Sequence, residues 1–150
     1  GRLGRMYNAL SSKVAFDNLE DSLSGELATY PVAAAAVTAT ANGAAWNRTG
    51  AWAEVVPVTT ITSDIWLDAL VIEATNTTDT FLLDIATGLA GHEVVIASVR
   101  TNILQVNNNG TTRIPIRAKV AANARISVRC TSAAAAANTA NVSLQYRTVS

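Results

Sequence analysis

The sequence has few of the residues from which metal sites, disulfides and catalytic centres are built. It contains one Cys and one His among 150 residues. A single Cys cannot form a disulfide within the chain, and one Cys with one His cannot supply the four ligands of a structural zinc site. We therefore expect no metal, no cofactor and no stabilising disulfide.

Charge and long apolar runs are also scarce. Charged residues make up 15% of the chain, with 11 basic residues against 11 acidic ones. Nucleic-acid binding by bulk positive charge needs an excess of basic residues, which is absent. No apolar run approaches the roughly 18 residues of a membrane span, and the first residues lack the apolar core of a secretory signal. We expect one soluble domain from a reducing cytoplasm, with neither a nucleic acid nor a membrane as partner.

The residues capable of catalysis lack the neighbours that catalysis needs. His92 lies in a predicted turn, and no Ser or Cys elbow accompanies it. Cys130 falls on the apolar side of its predicted strand, so we expect a buried, reduced thiol. Asp64 and Asp68 have the even spacing of a glycosidase pair or of calcium ligands, but no calcium-type loop follows. Turn capping or cross-strand pairing is the simpler interpretation, and we expect no enzyme.

Beyond residue 31 the sequence consists of short β-branched or alanine-rich runs separated by turn residues. The predicted strands are Val32–Thr40, Ala51–Val56, Ile61–Ala74, Thr80–Thr87, Glu93–Val99, Thr112–Lys119, Ala124–Cys130 and Asn141–Thr148. About eight short strands without helices between them predict an all-β fold, a single antiparallel β-sandwich of the jelly-roll type. Ile61–Ala74 is apolar on both faces and is predicted to be a central strand, with Trp66 in the core. Pro115 predicts an edge strand or a bulge.

Residues 1–31 differ from the sandwich domain predicted for residues 32–150. They carry balanced charge, leucines spaced by four and no β pattern, which indicates an extended N-terminal arm. Such an arm either folds back on its own domain or becomes ordered on a partner that buries its apolar side chains. The side chains expected to make that contact are Tyr7, Phe16, Leu19, Leu23, Leu27 and Tyr30.

Charges of opposite sign are separated along the sequence. All seven charged residues between 51 and 99 are acidic, and all seven from 100 onward are basic. They could pair across strands, form complementary patches between copies in a ring, or simply be solvated. Arg113, Arg117, Arg125 and Arg129 have no base-stacking aromatic residues among them, which argues against a nucleic-acid surface.

Two tryptophans flank a predicted loop. Trp46 and Trp52 lie on either side of Asn47–Gly50, where an exposed indole could stack on a sugar ring or pack in a subunit contact. Both interpretations stay open.

Three segments carry a resemblance to a known family. They are Asp84–Ile96, Arg113–Arg117 and Ala124–Ser132. Together they resemble a β-sandwich domain of structural proteins from tailed bacteriophages and prophages, whose members commonly show "LvDIa.G..G.E.vi" and "PirIPaGtRia.RcqS". The resemblance covers about residues 51–149. Ala121-Ala122-Asn123-Ala124 stands here in place of the Pro-Ala-Gly turn before Arg125.

The resemblance implies a symmetric oligomer among the accessory proteins of a virion, such as capsid decoration proteins, head fibres and tail components. We expect a non-enzymatic virion structural protein on the capsid or tail surface, assembled in the host cytoplasm. The expected partners are copies of itself, with a trimer favoured, and other virion proteins. Deleting residues 1–30 should then leave a folded sandwich that no longer attaches to particles. The alternative is a carbohydrate-binding, receptor-recognition module that binds a host glycan.

Overall fold

The computed structural model describes residues 26–32, 36–104 and 112–149. These residues form nine β-strands and no helix. The strands are β1 (Ala28–Tyr30), β2 (Val37–Thr40), β3 (Ala53–Val56), β4 (Ile65–Thr75), β5 (Asp79–Thr87), β6 (Val94–Ile103), β7 (Thr112–Val120), β8 (Ile126–Ser132) and β9 (Thr139–Thr148). The expected all-β class is confirmed.

The strands form two antiparallel sheets. Sheet A has the order β1-β9-β4-β7, and β2 also pairs with β9. Sheet B has the order β3-β8-β5-β6. In sheet A, strands from the two halves of the sequence alternate, and in sheet B, β5 lies between its sequence neighbour β6 and the distant β8, as expected for a jelly-roll-like sandwich.

The core lies between the sheets and follows the alternation of each strand. In β5, Phe81, Leu83 and Ile85 are fully buried. In β8, Val128 and Cys130 are buried in the same core, while Arg129 between them is on the outer side. Cys130 is therefore where the sequence pattern predicted it.

β4 is the central strand that its apolar sequence predicted, because it pairs with both β7 and β9. The core position predicted for Trp66 is wrong. Its neighbour Leu67 is fully buried in the core, so Trp66 lies on the outer face of sheet A, where it is half-buried. A register irregularity between Leu67 and Ala69 then returns Leu70 to the core. Sequence alternation alone cannot show such a change of parity.

β7 satisfies both expectations raised by Pro115. It pairs only with β4 within the described residues, and its register shifts between the pairs Leu67–Ala118 and Ala69–Pro115. Proline has no N–H to donate to a neighbouring strand, and at an edge or a bulge that missing donor does not interrupt the hydrogen bonds of the sheet.

The boundary predicted at residue 31 separates β1 from the sheet to which it belongs. Ala28–Tyr30 pairs with residues 144–146 of β9, and Tyr30 packs against the core. Leu27 is exposed. The other predicted arm contacts, Tyr7, Phe16, Leu19 and Leu23, lie outside the described residues. The strand predicted from Val32 is shorter in the structure, since β2 starts at Val37.

Candidate functional site

The outer face of sheet B brings together residues from three strands, β5, β6 and β8, and from the loop between β2 and β3. We call this surface the tryptophan–arginine face; its residues are Trp46, Arg48, Trp52, Asp84, Ser98, Arg100 and Arg129. In β5 and β8 the core positions alternate with this face, which places Asp84 opposite Arg129. On the other side Asp84 lies opposite Ser98 of β6.

Asp84 is the centre of the face. Its carboxylate is fully buried and accepts hydrogen bonds from Arg48 Nη2 at 2.6 Å and from Arg129 Nη2 at 2.9 Å. The Ser98 hydroxyl donates a further bond at 2.5 Å. Burial by itself disfavours the charged carboxylate, but these three donors outweigh it and hold the pKa of Asp84 below its usual range. Asp84 is thus an ionised structural anchor and not a proton donor near neutral pH.

Two arginines of this face, Arg129 and Arg100, lie against the tryptophan rings. Arg129 lies over the Trp52 ring at 4.3 Å, and Arg100 lies 5.8 Å from the centre of the Trp46 ring. Trp46 has a positive φ of 54°, unusual for a bulky residue, and its amide donates to Ser132 O at 2.9 Å. Its side chain remains 46% exposed. One face of the Trp52 ring is therefore occupied by its own chain, and of the two tryptophans on this face Trp46 is the more exposed to a partner.

A second charged cluster closes the end of the same sheet. Arg125 is buried and donates to Glu54 at 2.7 Å and to Glu93 at 3.2 Å, and its Nη1 also bonds the carbonyl oxygen of Gly88. The backbone N–H of Glu93 itself, together with that of Gly91 and the guanidinium of Arg125, holds the pKa of Glu93 below its ordinary value. This cluster fixes the turn between β5 and β6.

The segments that carried the family resemblance meet in these two clusters. Asp84 pairs with Arg129, and Glu93 pairs with Arg125. The turn that replaces Pro-Ala-Gly places Asn123 at φ 67°, a left-handed conformation that Asn tolerates nearly as well as Gly does. Asn123 therefore allows a tight turn directly before Arg125.

Ion pairing across strands is what the separated charges provide. Four of the five ion pairs in the described residues join an acidic residue from 51–99 to a basic residue beyond 100. The exception is the pair between Arg48 and Asp84. Sequence analysis missed Arg48 and Ser98 as partners of Asp84, because the contact with Arg48 depends on a loop folding over sheet B.

The remaining candidates have the ordinary roles favoured by their sequence context. Asp64 Oδ1 accepts a hydrogen bond from the Ala122 amide at 2.8 Å, and Asp68 pairs with Arg113 at 2.7 Å. His92 is exposed in the turn before β6. In the described residues there is no cluster of His, Cys, Asp and Glu that could hold a metal, and no helix capable of crossing a membrane.

Cys130 should react very slowly with thiol reagents in the native protein. Burial, assisted by the negative charge of Asp79, raises the pKa of the Cys130 thiol to about 12, so almost no thiolate exists at pH 8. We expect labelling by a disulfide reagent only after denaturation. Rapid stoichiometric labelling of the native protein, followed by absorbance, would contradict this placement.

Comparison with known proteins yields similarities of architecture. No family model and no curated protein matches the sequence. A chain of the T13 viral particle of infectious bursal disease virus is 10% identical with a TM-score of 0.48, over 83% of this chain and 31% of that one. The exo-β-1,3-galactanase of Phanerochaete chrysosporium is 12% identical with a TM-score of 0.38, over 84% of this chain and 28% of that one. The chain thus spans about a third or less of these longer proteins.

Proposed function

We propose that this chain is a non-enzymatic structural protein of a virus particle, in particular a tailed phage. It is displayed on the capsid or tail surface and associates with copies of itself through the edge of sheet B. The observation that carries the proposal is the edge strand β6, which pairs with no described strand other than β5. The two outer edges formed by β6 and β7 differ in a way that supports assembly at one of them.

The β7 edge has the features by which proteins prevent edge-to-edge association. Within the described residues β7 pairs only with β4, and it exposes Arg113, Pro115, Arg117 and Lys119. Charged side chains and proline on an edge oppose pairing with another strand. β7 is therefore a protected edge.

The β6 edge lacks this protection in its first half. β6 pairs only with β5 within the described part of the chain, and Val94–Val99 contains no charged residue and no proline. Val94 is 65% exposed and Val95 is 41% exposed, and Leu89 in the preceding turn is 61% exposed. An exposed apolar edge of this kind is an aggregation risk unless another subunit covers it, which supports a self-associating protein.

Two further observations agree with the virion assignment. The residues that resemble the phage domain are joined by the ion pairs of Asp84 and Glu93, which gives a physical reason for their presence in one pattern. On the opposite side of the molecule, exposed Leu27 and Val32 border a groove of about 450 Å³ beside β1. This groove lies where the predicted arm enters the sandwich, and it supports the arm side as a contact with other virion proteins.

The experiment is sedimentation velocity at micromolar concentration. We expect the wild-type chain to sediment as an oligomer, with a trimer favoured, and the double variant Val94→Lys/Val95→Lys to sediment as a monomer, because two ammonium groups would have to be desolvated at the interface. Val58→Lys is the matched control, since Val58 is 43% exposed outside any strand. A wild-type species of 15.6 kDa only, or an oligomer unaffected by the double substitution, would exclude assembly through β6.

The location on a particle needs a different measurement. We expect electron microscopy of intact phage to find the sandwich as a repeated density on the outer surface of the capsid or tail. A particle without such density, or one with the subunit enclosed in its interior, would contradict the displayed role.

Carbohydrate binding at the tryptophan–arginine face is the second candidate function. The exposure of Trp46 favours it, whereas the stacking of Arg129 on Trp52 reduces the available aromatic surface. If Trp46 stacks on a sugar, Trp46→Ala should abolish binding to the recognised glycan on an array and leave the oligomer intact. Unchanged glycan binding by that variant would exclude Trp46 as the sugar platform.

A further inference from the structure

A pocket lies on the face of the sandwich opposite the tryptophan–arginine face. It has a volume of about 290 Å³, and its lining residues are Trp66, Leu67, Asp68, Arg117 and Arg147. The pocket therefore combines an aromatic wall with side chains of both charges. A volume at the lower end of the range for small-molecule sites suits one sugar-sized ring.

A β-bulge in sheet A brings Asp68 and Arg117, two polar residues of the pocket lining, next to each other. Between the pairs Leu67–Ala118 and Ala69–Pro115, the single residue Asp68 of β4 lies opposite two residues of β7. One of these two, Ile116, is buried in the core, and the other, Arg117, is exposed beside Asp68. Bulges are common next to binding and active sites because they redirect a side chain that regular alternation would place elsewhere.

Asp68 is the hydrogen-bond acceptor in the pocket, and Arg113, which lies outside the lining, holds it in position. Arg113 donates to Asp68 Oδ2 at 2.7 Å and to Gln145 Oε1 at 2.7 Å. The other carboxylate oxygen of Asp68, Oδ1, accepts no hydrogen bond within the described residues. Asp68 is thus oriented, and it can still accept a hydrogen bond from a ligand.

Arg117 is the hydrogen-bond donor in the pocket, and no described acidic residue pairs with it. Arg117 makes no ion pair and no side-chain hydrogen bond in the part of the chain that the structure describes, and neither does Lys119 next to it on the same edge. The charge of Asp68 is already compensated by Arg113. The mouth of the pocket consequently carries net positive charge.

We propose that this pocket binds a sugar ring bearing a carboxylate, a uronic acid or a sialic acid. The ligand carboxylate accepts paired hydrogen bonds from the Arg117 guanidinium, whose planar geometry matches it. A ring hydroxyl donates to Asp68 Oδ1, and the apolar face of the ring packs on Trp66. This site goes beyond the assembly role and differs from the surface at Trp46.

Asp68 distinguishes a sugar from an acidic peptide as the ligand. An acidic side chain of a peptide brings a carboxylate to the pocket but no hydroxyl group that could donate to Asp68 and offset the like charge. A saccharide supplies both a carboxylate for Arg117 and hydroxyls for Asp68. The mixed polarity of the lining therefore favours an acidic saccharide.

The indole signals of the full chain provide the test. The protein has three tryptophans, so a ¹H–¹⁵N correlation spectrum contains three indole N–H signals, and Trp66→Phe identifies that of Trp66. The Trp66 Nε1 is buried without a hydrogen-bond partner, which makes it sensitive to any group that settles on the ring. We expect titration with trigalacturonate to shift the Trp66 signal with saturation, and the neutral galactotriose of the same linkage to shift it at least about tenfold more weakly.

Two variants and one competing probe complete the experiment. Arg117→Gln should weaken trigalacturonate binding at least about tenfold, since a charge-assisted bidentate contact is lost. The control Lys119→Gln removes a charge from the same strand but outside the pocket lining, and should weaken binding less than about threefold. Equal shifts with acidic and neutral trisaccharides, shifts confined to Trp46 or Trp52, or equal binding of triglutamate would each overturn the proposal. The sedimentation of the chain is measured separately, so failure of this site leaves the assembly role unaffected, and the reverse also holds.

Discussion

Replacing Asp84 with alanine should reduce the free energy of unfolding by about 3 kcal/mol and lower the Tm by about 10 °C. The substitution removes a fully buried carboxylate that accepts hydrogen bonds from Arg48, Ser98 and Arg129. We place the effect at the lower end of the range for buried ion pairs because both arginines retain access to water. Urea denaturation at one fixed protein concentration measures it, since self-association also contributes to apparent stability.

Asp68→Ala is the matched control for this prediction. It removes an ion pair of similar length, with Arg113 at 2.7 Å, on a surface where the two side chains remain 43% and 26% exposed. A loss of less than about 1 kcal/mol is expected there. If the two substitutions had equal effects, burial would not be the source of the stabilisation at Asp84.

The same carboxylate makes stability depend on pH with a defined sign. The pKa of Asp84 is lower in the folded protein than the value of about 3.9 of an unfolded aspartate. Its stabilisation is therefore complete above about pH 5 and is lost as the pH falls through the lower folded value. Asp84→Asn should flatten this acid dependence in urea titrations between about pH 5 and pH 2. An unchanged acid limb in that variant would assign the dependence to other carboxylates.

Replacing Gly88 with alanine should cost about 3 kcal/mol. Gly88 has a φ of 123°, which side-chain-bearing residues rarely adopt, and a Cβ there would collide with the carbonyl oxygen of His92. Gly88 also makes two hydrogen bonds with Arg125. Its N–H donates to the carbonyl oxygen of Arg125, and its carbonyl oxygen accepts from the Arg125 guanidinium, at 3.2 Å each. The substitution should thus disturb the turn that leads into β6 as well as the fold.

Gly91→Ala separates the two causes. Gly91 also has a positive φ, 85°, but no atom lies within 4 Å of the position of a Cβ. Backbone strain alone should cost about 1–2 kcal/mol at that position. Calorimetric melting of both variants checks the difference, and an equal loss of stability would mean that the contact with His92 relaxes without cost.

The structure also changes the design of the arm deletion. Removing residues 1–30 would remove β1 and uncover the edge of β9 at residues 144–146. Ending the deletion at residue 25 keeps β1 and keeps Tyr30 against the core. We expect the shorter deletion to leave the unfolding midpoint within about 2 °C of the full chain while abolishing attachment to particles, and the longer one to lower the midpoint as well. Unchanged attachment after the shorter deletion would place the anchor in the sandwich.

The sequence by itself determined the all-β class, the central position of β4, an edge or a bulge at Pro115 and the burial of Cys130. These features follow from local patterns, since alternation, turn residues and a missing N–H act within a few positions of the chain. The separation of acidic from basic residues was compatible with pairing across strands, with complementary patches between copies and with solvated charges. Only the structure showed the four ion pairs that join the two groups.

Only the tertiary structure decided which charges meet and which surfaces remain open. Arg48 reaches Asp84 because a loop folds over sheet B. Trp66 faces outward because a bulge changes the parity of β4. Both arrangements depend on chain segments that are distant in sequence. The exposure of Val94 and Val95 likewise depends on β6 being the last strand of sheet B. Strand order and bulges are set by long-range packing of the whole core, and for that reason no local pattern could reveal the pocket beside Asp68 or the exposed edge of β6.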